Sequence, residues 1–566
     1  MLRSPSFCVF AVSRFRDPAD ASRGVFAVRR AAPLRFLVLT AIFALLAAST
    51  AQAAAPGAAW QYYVPCETGK PGKDGQPRPG KALLWLPPKA QTLRGLLVGG
   101  ELGIELEIAL DAEVRRACAE NDLGIVYFAP HLSGVFHYWE QGNADAQRWL
   151  KALEDLSRRS GHAELRRVPW ITMGHSTAGI FCRNVAYRWP QRVAGILHVK
   201  SGNFHQREHL PPAGSLAGVP LAAINGQFET FGPEGGLRPD LGRETQWVFV
   251  AKDLERFKQQ DAGCLMSLWL DLGGDHFHGS MELSHYAAMF IRKTAQRRIP
   301  AALPAGDGEV PCRPLRPEDG WLTDPDLDRP KHPPAAYQDY AGDKQRAMWH
   351  FDRQIAEATA QHHSKLGQHQ CLSNPVCAWL DDGDGWTFQV KAEFLDAMPD
   401  KYGGRVANRP VGHGRGPIEY RAKLTEPVEQ IGPDRFRLLR PIKSVNVAAV
   451  HPGDEQYRAT NRWGSIGFSQ TKGPAQTIDF PAPPDAKAGG GPIRLEAKAS
   501  SGLPVYYEVD YGPVAVRGGV VVIADLPARP RFPIECQVTA YQIGRRMSPA
   551  VPPAAPVSQV FRLIGL

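Results

Sequence analysis

The chain has 566 residues, 43% hydrophobic and 22% charged, with a formal charge of +9. That is enough chain for roughly two to four domains and at least one large core, and the composition is ordinary for a globular protein. Seven arginines against Asp17 and Asp20 put +5 of the charge into residues 1–53. The remainder carries no basic stripe interleaved with aromatics, so no nucleic-acid partner is expected.

Arg29, Arg30 and Arg35 precede the apolar run Phe36–Ala48 (FLVLTAIFALLAA), which ends in Ser49-Thr50-Ala51-Gln52-Ala53. This pattern predicts a leader and signal peptide over 1–53, cleaved after Ala53. The run is shorter than the ~20 residues of a membrane span. Export to the periplasm or beyond is therefore expected, with membrane contact only through an uncleaved signal. Of nine cysteines, Cys8 lies in the leader. The even number remaining permits disulfides, and Cys371 and Cys377 are near enough in sequence to close a small loop.

From about residue 80 to 300, apolar runs alternate with helical periodicity. Leu83–Leu86, Gly95–Val98, Leu123–Phe128, Val168–Met173, Val193–Val199, Pro220–Ile224 and Leu265–Leu270 read as strands. Glu105–Ala119, Ala144–Arg159, Ala178–Trp189, Glu244–Gln260 and Ser284–Arg297 read as helices. Such alternation predicts a parallel sheet covered on both faces, an α/β domain over 54–300. Residues 303–334 are rich in proline and acidic turns and mark a boundary or a long connection. Residues 341–363 read as one amphipathic helix, with Ala347, Met348, Phe351, Ile355 and Ala358 on one face. The role of 301–475 is not legible. Beyond it, Arg494–Ala497, Val505–Val509, Val520–Ile523 and Cys536–Ala540 are spaced like an antiparallel sandwich over 476–566.

The stretch WITMGHSTAG places Ser176 between small residues at a strand-to-helix turn, the setting of a nucleophile elbow. A serine hydroxyl needs a base near neutral pH, and two further strand ends offer candidates. Asn225-Gly226-Gln227-Phe228-Glu229 follows the strand at 220, and Asp271-Leu272-Gly273-Gly274-Asp275-His276-Phe277-His278 follows the strand at 265. Serine, acid and histidine thus occur in the chain order of an elbow hydrolase, each at the carboxyl end of a parallel strand. His278 competes with His276, and Asp271, Asp275 and Glu234 compete with Glu229. His175 reads as packing or bonding behind the elbow. Phe136, His137, Tyr138 and Trp139 follow the strand at 123 and read equally as a pocket wall or as loop packing. His362, His363, His369 and Cys371 lack a recognised ligand spacing and read as a polar helix end. No metal or cofactor is expected.

GHSTAG, NGQFE and GGDHFH together resemble the α/β-hydrolase superfamily over residues 60–300, most closely secreted esterases of the feruloyl-esterase and polyhydroxyalkanoate-depolymerase type. The resemblance implies Ser176 as nucleophile, His276 as general base and acid, and Glu229 as the residue orienting the histidine. It implies an oxyanion hole from the backbone N–H of Thr177 and of the loop at Gly100 and Glu101. The chain departs from the pattern at Ala178 (commonly glycine), Glu229 (commonly aspartate) and Gly99 (often histidine). The segment Ala499–Val509 resembles bacterial immunoglobulin-like domains. The implied activity is hydrolysis of a carboxylic ester: a small molecule, a polysaccharide-linked ester or a polyester. A non-catalytic glycan-binding surface protein and a peptidase or acyltransferase on the same three residues are the alternatives.

Overall fold

The computed structural model describes residues 59–71, 77–100, 103–130, 144–201, 214–229, 246–277, 279–399, 408–469, 471–524 and 526–565. The leader and signal expected over 1–53 lie outside the described residues. Among the described residues, no helix is long and apolar enough to cross a membrane.

The expected parallel sheet is present. Its strands are β1 (Tyr62–Pro71), β2 (Pro77–Trp85), β3 (Gly95–Gly100), β4 (Leu123–Ala129), β5 (Trp170–His175), β6 (Val193–Val199), β7 (Pro220–Gly226) and β8 (Leu265–Asp271). Their order across the sheet is 1-2-4-3-5-6-7-8. β1 and β2 are antiparallel additions, and β3 to β8 run parallel. This is the α/β-hydrolase class of fold, followed by a β-rich C-terminal region of small antiparallel sheets.

The strands read as continuous apolar runs because both faces are covered. Alternate residues serve different cores. Leu96, Val98, Phe128, Trp170, Ile196 and Leu268 belong to one, with Trp149, Leu153, Phe181 and Leu254. Leu97, Tyr127, Ile171, Leu197 and Ile224 belong to the other, with Ile108, Val114, Tyr286 and Phe290. The first core's helices are α3 (Ala144–Ser160), α4 (Ala178–Arg188) and α5 (Gln246–Gln260). The second core is covered by α1 (Glu105–Leu110), α2 (Ala112–Ala119) and α6 (Met281–Arg298).

Two expectations need correction. The single helix over Glu105–Ala119 is two helices. Asp111 is extended at the break (φ −60, ψ 134), and its side chain accepts from the N–H groups of Glu113 and Val114. An N-capping aspartate starts a new helix more cheaply than it continues an old one. The helix expected over 341–363 forms only as α7 (Arg353–His363). Met348–His350 instead pairs antiparallel with the strand Trp321–Thr323. Asp352 then caps α7 through Ile355 N–H. A short apolar run with a later cap carries both periodicities, and pairing decided between them.

Residues 303–334 run past the amino ends of the strands, where Val310 N–H bonds Arg167 O at 2.9 Å and Cys312 N–H bonds Gln191 O at 2.7 Å. Trp349, Phe351 and Ile355 are all at least 97% buried and belong to the second core. α7 completes the open edge of β8. The His362 Nε2–H donates to Leu270 O at 2.8 Å, and His363 Nε2 accepts from Leu270 N–H at 3.1 Å. An edge strand leaves such groups bare unless something covers them. Burial first, with neighbouring charges second, holds the His363 imidazole well below its ordinary range, so it is neutral and able to accept. His369 Nδ1 accepts from Arg458 at 2.9 Å. All eight cysteines from Cys66 to Cys536 are free thiols, Cys371 and Cys377 included.

A chain ending at residue 300 is therefore expected to be insoluble or to lack near-UV circular dichroism, while the chain to 566 folds. Each lost large side chain is worth roughly 1.5–3 kcal/mol of burial against a domain's net ~5–15 kcal/mol. A soluble, cooperatively melting 54–300 fragment would refute this.

The last sheets are antiparallel: Ile493–Arg494, Val520–Ile523 and Val514–Arg517 form one, and Tyr506–Tyr511, Ile534–Tyr541 and Val557–Leu563 form another. They pack beside β1, where Tyr63 stacks on Tyr511 at 4.5 Å and Gly512 N–H bonds Trp60 O at 2.8 Å.

Candidate active site

β5 ends one residue before Ser176, whose φ is +53. A non-glycine residue there costs on the order of 1–3 kcal/mol and persists only when its surroundings fix it. Ser176 N–H is held by Val199 O at 3.0 Å, and its carbonyl accepts from Gly179 N–H at 3.0 Å. The turn is tight enough that a Cβ on Gly174 would lie 2.2 Å from Ala178 O. A Cβ on Gly179 would lie 2.6 Å from the Ser201 side chain. The demand for a bare backbone thus falls on 174 and 179, which is why alanine is accommodated at 178.

The second turn, 226–229, leaves β7. Glu229 is 2% exposed. Its Oε2 accepts from Gly226 N–H at 2.6 Å and from Asn225 Nδ2 at 3.1 Å. The third turn, 272–276, leaves β8 and brings in His276, whose Nδ1 lies 2.6 Å from Glu229 Oε1. Both carboxylate oxygens act as acceptors, so Nδ1 must donate. That leaves Nε2 to accept, and Ser176 Oγ lies 3.0 Å from it. The structure thus brings together Ser176, His276 and Glu229 in one relay at the carboxyl edge of the sheet. A hydroxyl, imidazole and carboxylate so joined can deprotonate the hydroxyl as it attacks a carbonyl.

Two of the competing acids, Asp271 and Asp275, bond elsewhere. Asp271 is wholly buried, and its Oδ2 pairs with Lys200 Nζ at 2.7 Å. Lys200 also bonds Asp275 O, which anchors the histidine turn to the end of β6. Asp275 Oδ1 accepts from Phe277 N–H at 3.2 Å. Glu234, His278 and the aromatics 136–139 lie outside the described residues.

Of the expected oxyanion donors, Thr177 is the N-cap residue of α4 and Gly100 ends β3. Glu101 lies outside the described residues. The sequence reading passed over Glu105, whose carboxylate is fully buried. It accepts from His175 N–H at 2.7 Å and from Gly103 N–H at 2.8 Å. It thereby ties the turn after β3 to the elbow. An acidic residue opening an apolar helix was the available signal. His175 sits behind the relay, with its Nε2–H donating to His276 O at 2.7 Å. Its ring centre is 4.8 Å from that of His276. Burial, reinforced by His276, pushes its imidazole down to about 3, so it stays neutral. Phe277 is 58% exposed and sets its ring edge-on to His276 at 4.6 Å.

No protein-family model matches the chain, and no curated protein matches it. Among solved structures, it is similar to FphF, a fluorophosphonate-binding serine hydrolase of Staphylococcus aureus (11% identity, TM-score 0.27, 42% of this chain and 99% of that one). It is also similar to an S-formylglutathione hydrolase from Agrobacterium tumefaciens (12%, TM-score 0.29, 42% and 94%). A third is Est1E from Butyrivibrio proteoclasticus (11%, TM-score 0.27, 41% and 99%). Likenesses of this size say nothing of this chain's reaction.

Proposed function

We propose that the chain is a serine hydrolase that cleaves carboxylic esters through an acyl-enzyme. The observation that carries this reading is the unbroken relay Ser176–His276–Glu229, with Ser176 on a strained turn at the sheet edge. Ser176 Oγ attacks the ester carbonyl while His276 Nε2 takes its proton. The tetrahedral oxyanion is met by backbone N–H groups, with Thr177 and the turn at Gly100 and Glu101 as the candidates. Collapse expels the alkoxide, which receives the proton from His276. Water then attacks the acyl-serine with His276 again as base, releasing the acid and restoring the hydroxyl. Glu229 holds the Nδ1–H tautomer and offsets the imidazolium charge. None of these steps needs a cofactor.

Export rests on the sequence of residues 29–53, and the immunoglobulin-like reading of 476–566 on the two three-stranded antiparallel sheets together with the sequence resemblance. Both are part of the proposal.

Treatment of the folded chain with a fluorophosphonate is expected to add one phosphonyl group, mapped by peptide mass spectrometry to Ser176 and absent in Ser176→Ala. A folded chain that takes up no label, or takes it up elsewhere, would overturn the reading. A parallel assay on 4-nitrophenyl acetate and a matched anilide separates esterase from amidase action.

A further inference from the structure

The segment that opens the strand Thr460–Gly467 lies far along the chain from the relay, yet it touches both turns that carry the acid and the histidine. Arg458 and Arg462 are 2% and 4% exposed. Arg458 donates to Gln227 Oε1, the same oxygen that accepts Gly273 N–H at 3.1 Å. Its other terminal nitrogen donates to His369 Nδ1. Arg462 Nη1 donates to Gly273 O at 3.0 Å. Both guanidinium carbons lie close to the ring centre of Phe228, at 5.6 and 5.5 Å. Phe228 is the residue before Glu229, and its N–H bonds Gly274 O at 2.9 Å. Gln227 N–H likewise bonds Asp271 O at 3.0 Å.

The two turns are thus laced to each other by backbone bonds, and each is also held by an arginine from outside the sheet domain. Arg458 grips two residues before Glu229, and Arg462 grips three residues before His276. Burying two like charges side by side is costly, and burial with that mutual repulsion lowers the Arg458 guanidinium to about 9. For fold stability alone, an apolar pair of similar volume would serve as well or better. What such a pair lacks is a set of directed donors that fixes the height of one turn against the other.

Resting on the serine-hydrolase reading, we infer that Arg458 and Arg462 are positioning residues, which set the register of the Glu229 turn against the His276 turn. Neither touches the reacting atoms. Their effect passes through the bond between Glu229 Oε1 and His276 Nδ1. An error of about 1 Å in such a geometry is enough to cost on the order of 10² in rate.

The test is a double-mutant cycle in the full chain on 4-nitrophenyl acetate, with rates expressed per mole of folded chain. Arg458→Met and Arg462→Met are expected to lower kcat by roughly 10–100-fold with KM moved less than about threefold. Arg458→Lys, which keeps one donor for Gln227, is expected to recover part of the loss. In a Glu229→Gln background the same arginine changes should cost less than about threefold, because the bond they align is already gone. Phe228→Leu, which keeps the arginines but removes the ring that both guanidinium groups lie against, stands in if an arginine variant fails to fold, and the same non-additivity is expected of it. Wild-type kcat in a folded Arg458→Met or Phe228→Leu protein would overturn the inference. So would an equal loss in both backgrounds, which marks a structural role. Ser176→Ala in the same assay separates the two readings. If it is inactive while the arginine variants are normal, only the positioning role falls; if it turns over normally, both fall.

Discussion

Ser176→Ala and His276→Ala are each expected to lower kcat on 4-nitrophenyl acetate by about 10⁶ with the fold intact, and the double variant should be little worse than either. The argument is that the two act as a unit. Without the imidazole the hydroxyl keeps its proton, and without the hydroxyl the imidazole has nothing to activate. A residual rate of about 10³–10⁴ over water should survive, since oxyanion donors and binding are untouched. Neither change should unfold the chain. Alanine at 176 inherits the positive φ of the serine, and the His276 side chain is partly open at 22% exposed. The measurement is kcat with near-UV circular dichroism as the folding control. A folded Ser176→Ala protein within tenfold of wild type would remove the nucleophile assignment.

Glu229→Gln is expected to cost roughly 10⁴ in kcat, less than loss of the serine but far more than loss of one hydrogen bond. Among the described residues, three donors converge on this carboxylate: Gly226 N–H at 2.6 Å, Asn225 Nδ2 at 3.1 Å and His276 Nδ1 at 2.6 Å. An amide of the same shape has one acceptor oxygen. If that oxygen serves the fixed backbone N–H, the amide nitrogen faces His276. The imidazole must then turn its proton to Nε2 and point a donor at Ser176. The wrong tautomer cannot take a proton. Glu229→Asp shortens the reach without changing the donor logic and should be milder. Equal rates for Glu229→Gln and wild type would show that another carboxylate orients the histidine.

The hydrolase half was legible because its signals are local. Continuous apolar strands, a serine between small residues and two polar strand ends in the right chain order each occupy a few residues. Errors arose where two patterns overlap. Asp111 splits what periodicity joins, and Met348–His350 satisfies a helical stripe while pairing as a strand. The close approach of Gly179 to Ser201 is a further feature that the local pattern does not show. That contact joins α4 to the segment after β6, and no turn motif encodes it. The purpose of 301–475 was invisible for a related reason. His362, His363, Arg458 and Arg462 act on strand ends far from them in sequence. An isolated histidine pair or a buried arginine looks like any other polar residue until the partner strand is known.

The lacing of the two turns by residues 458–462 also sets a timetable for the newborn chain. By the time residue 276 has been polymerised, serine, acid and histidine all exist. The arginines that flank their turns are not yet made. At ~5–20 residues per second the ribosome needs roughly 10–40 s more to reach residue 462. In the first half of that interval the sheet has its strands but lacks the edge cover from α7, and until residue 458 is made it lacks the bond from Arg458 to its acid turn. A chain built this way is assembled late, and a transcript cut short between residues 276 and 462 yields Ser176, Glu229 and His276 without both arginine bonds to their turns.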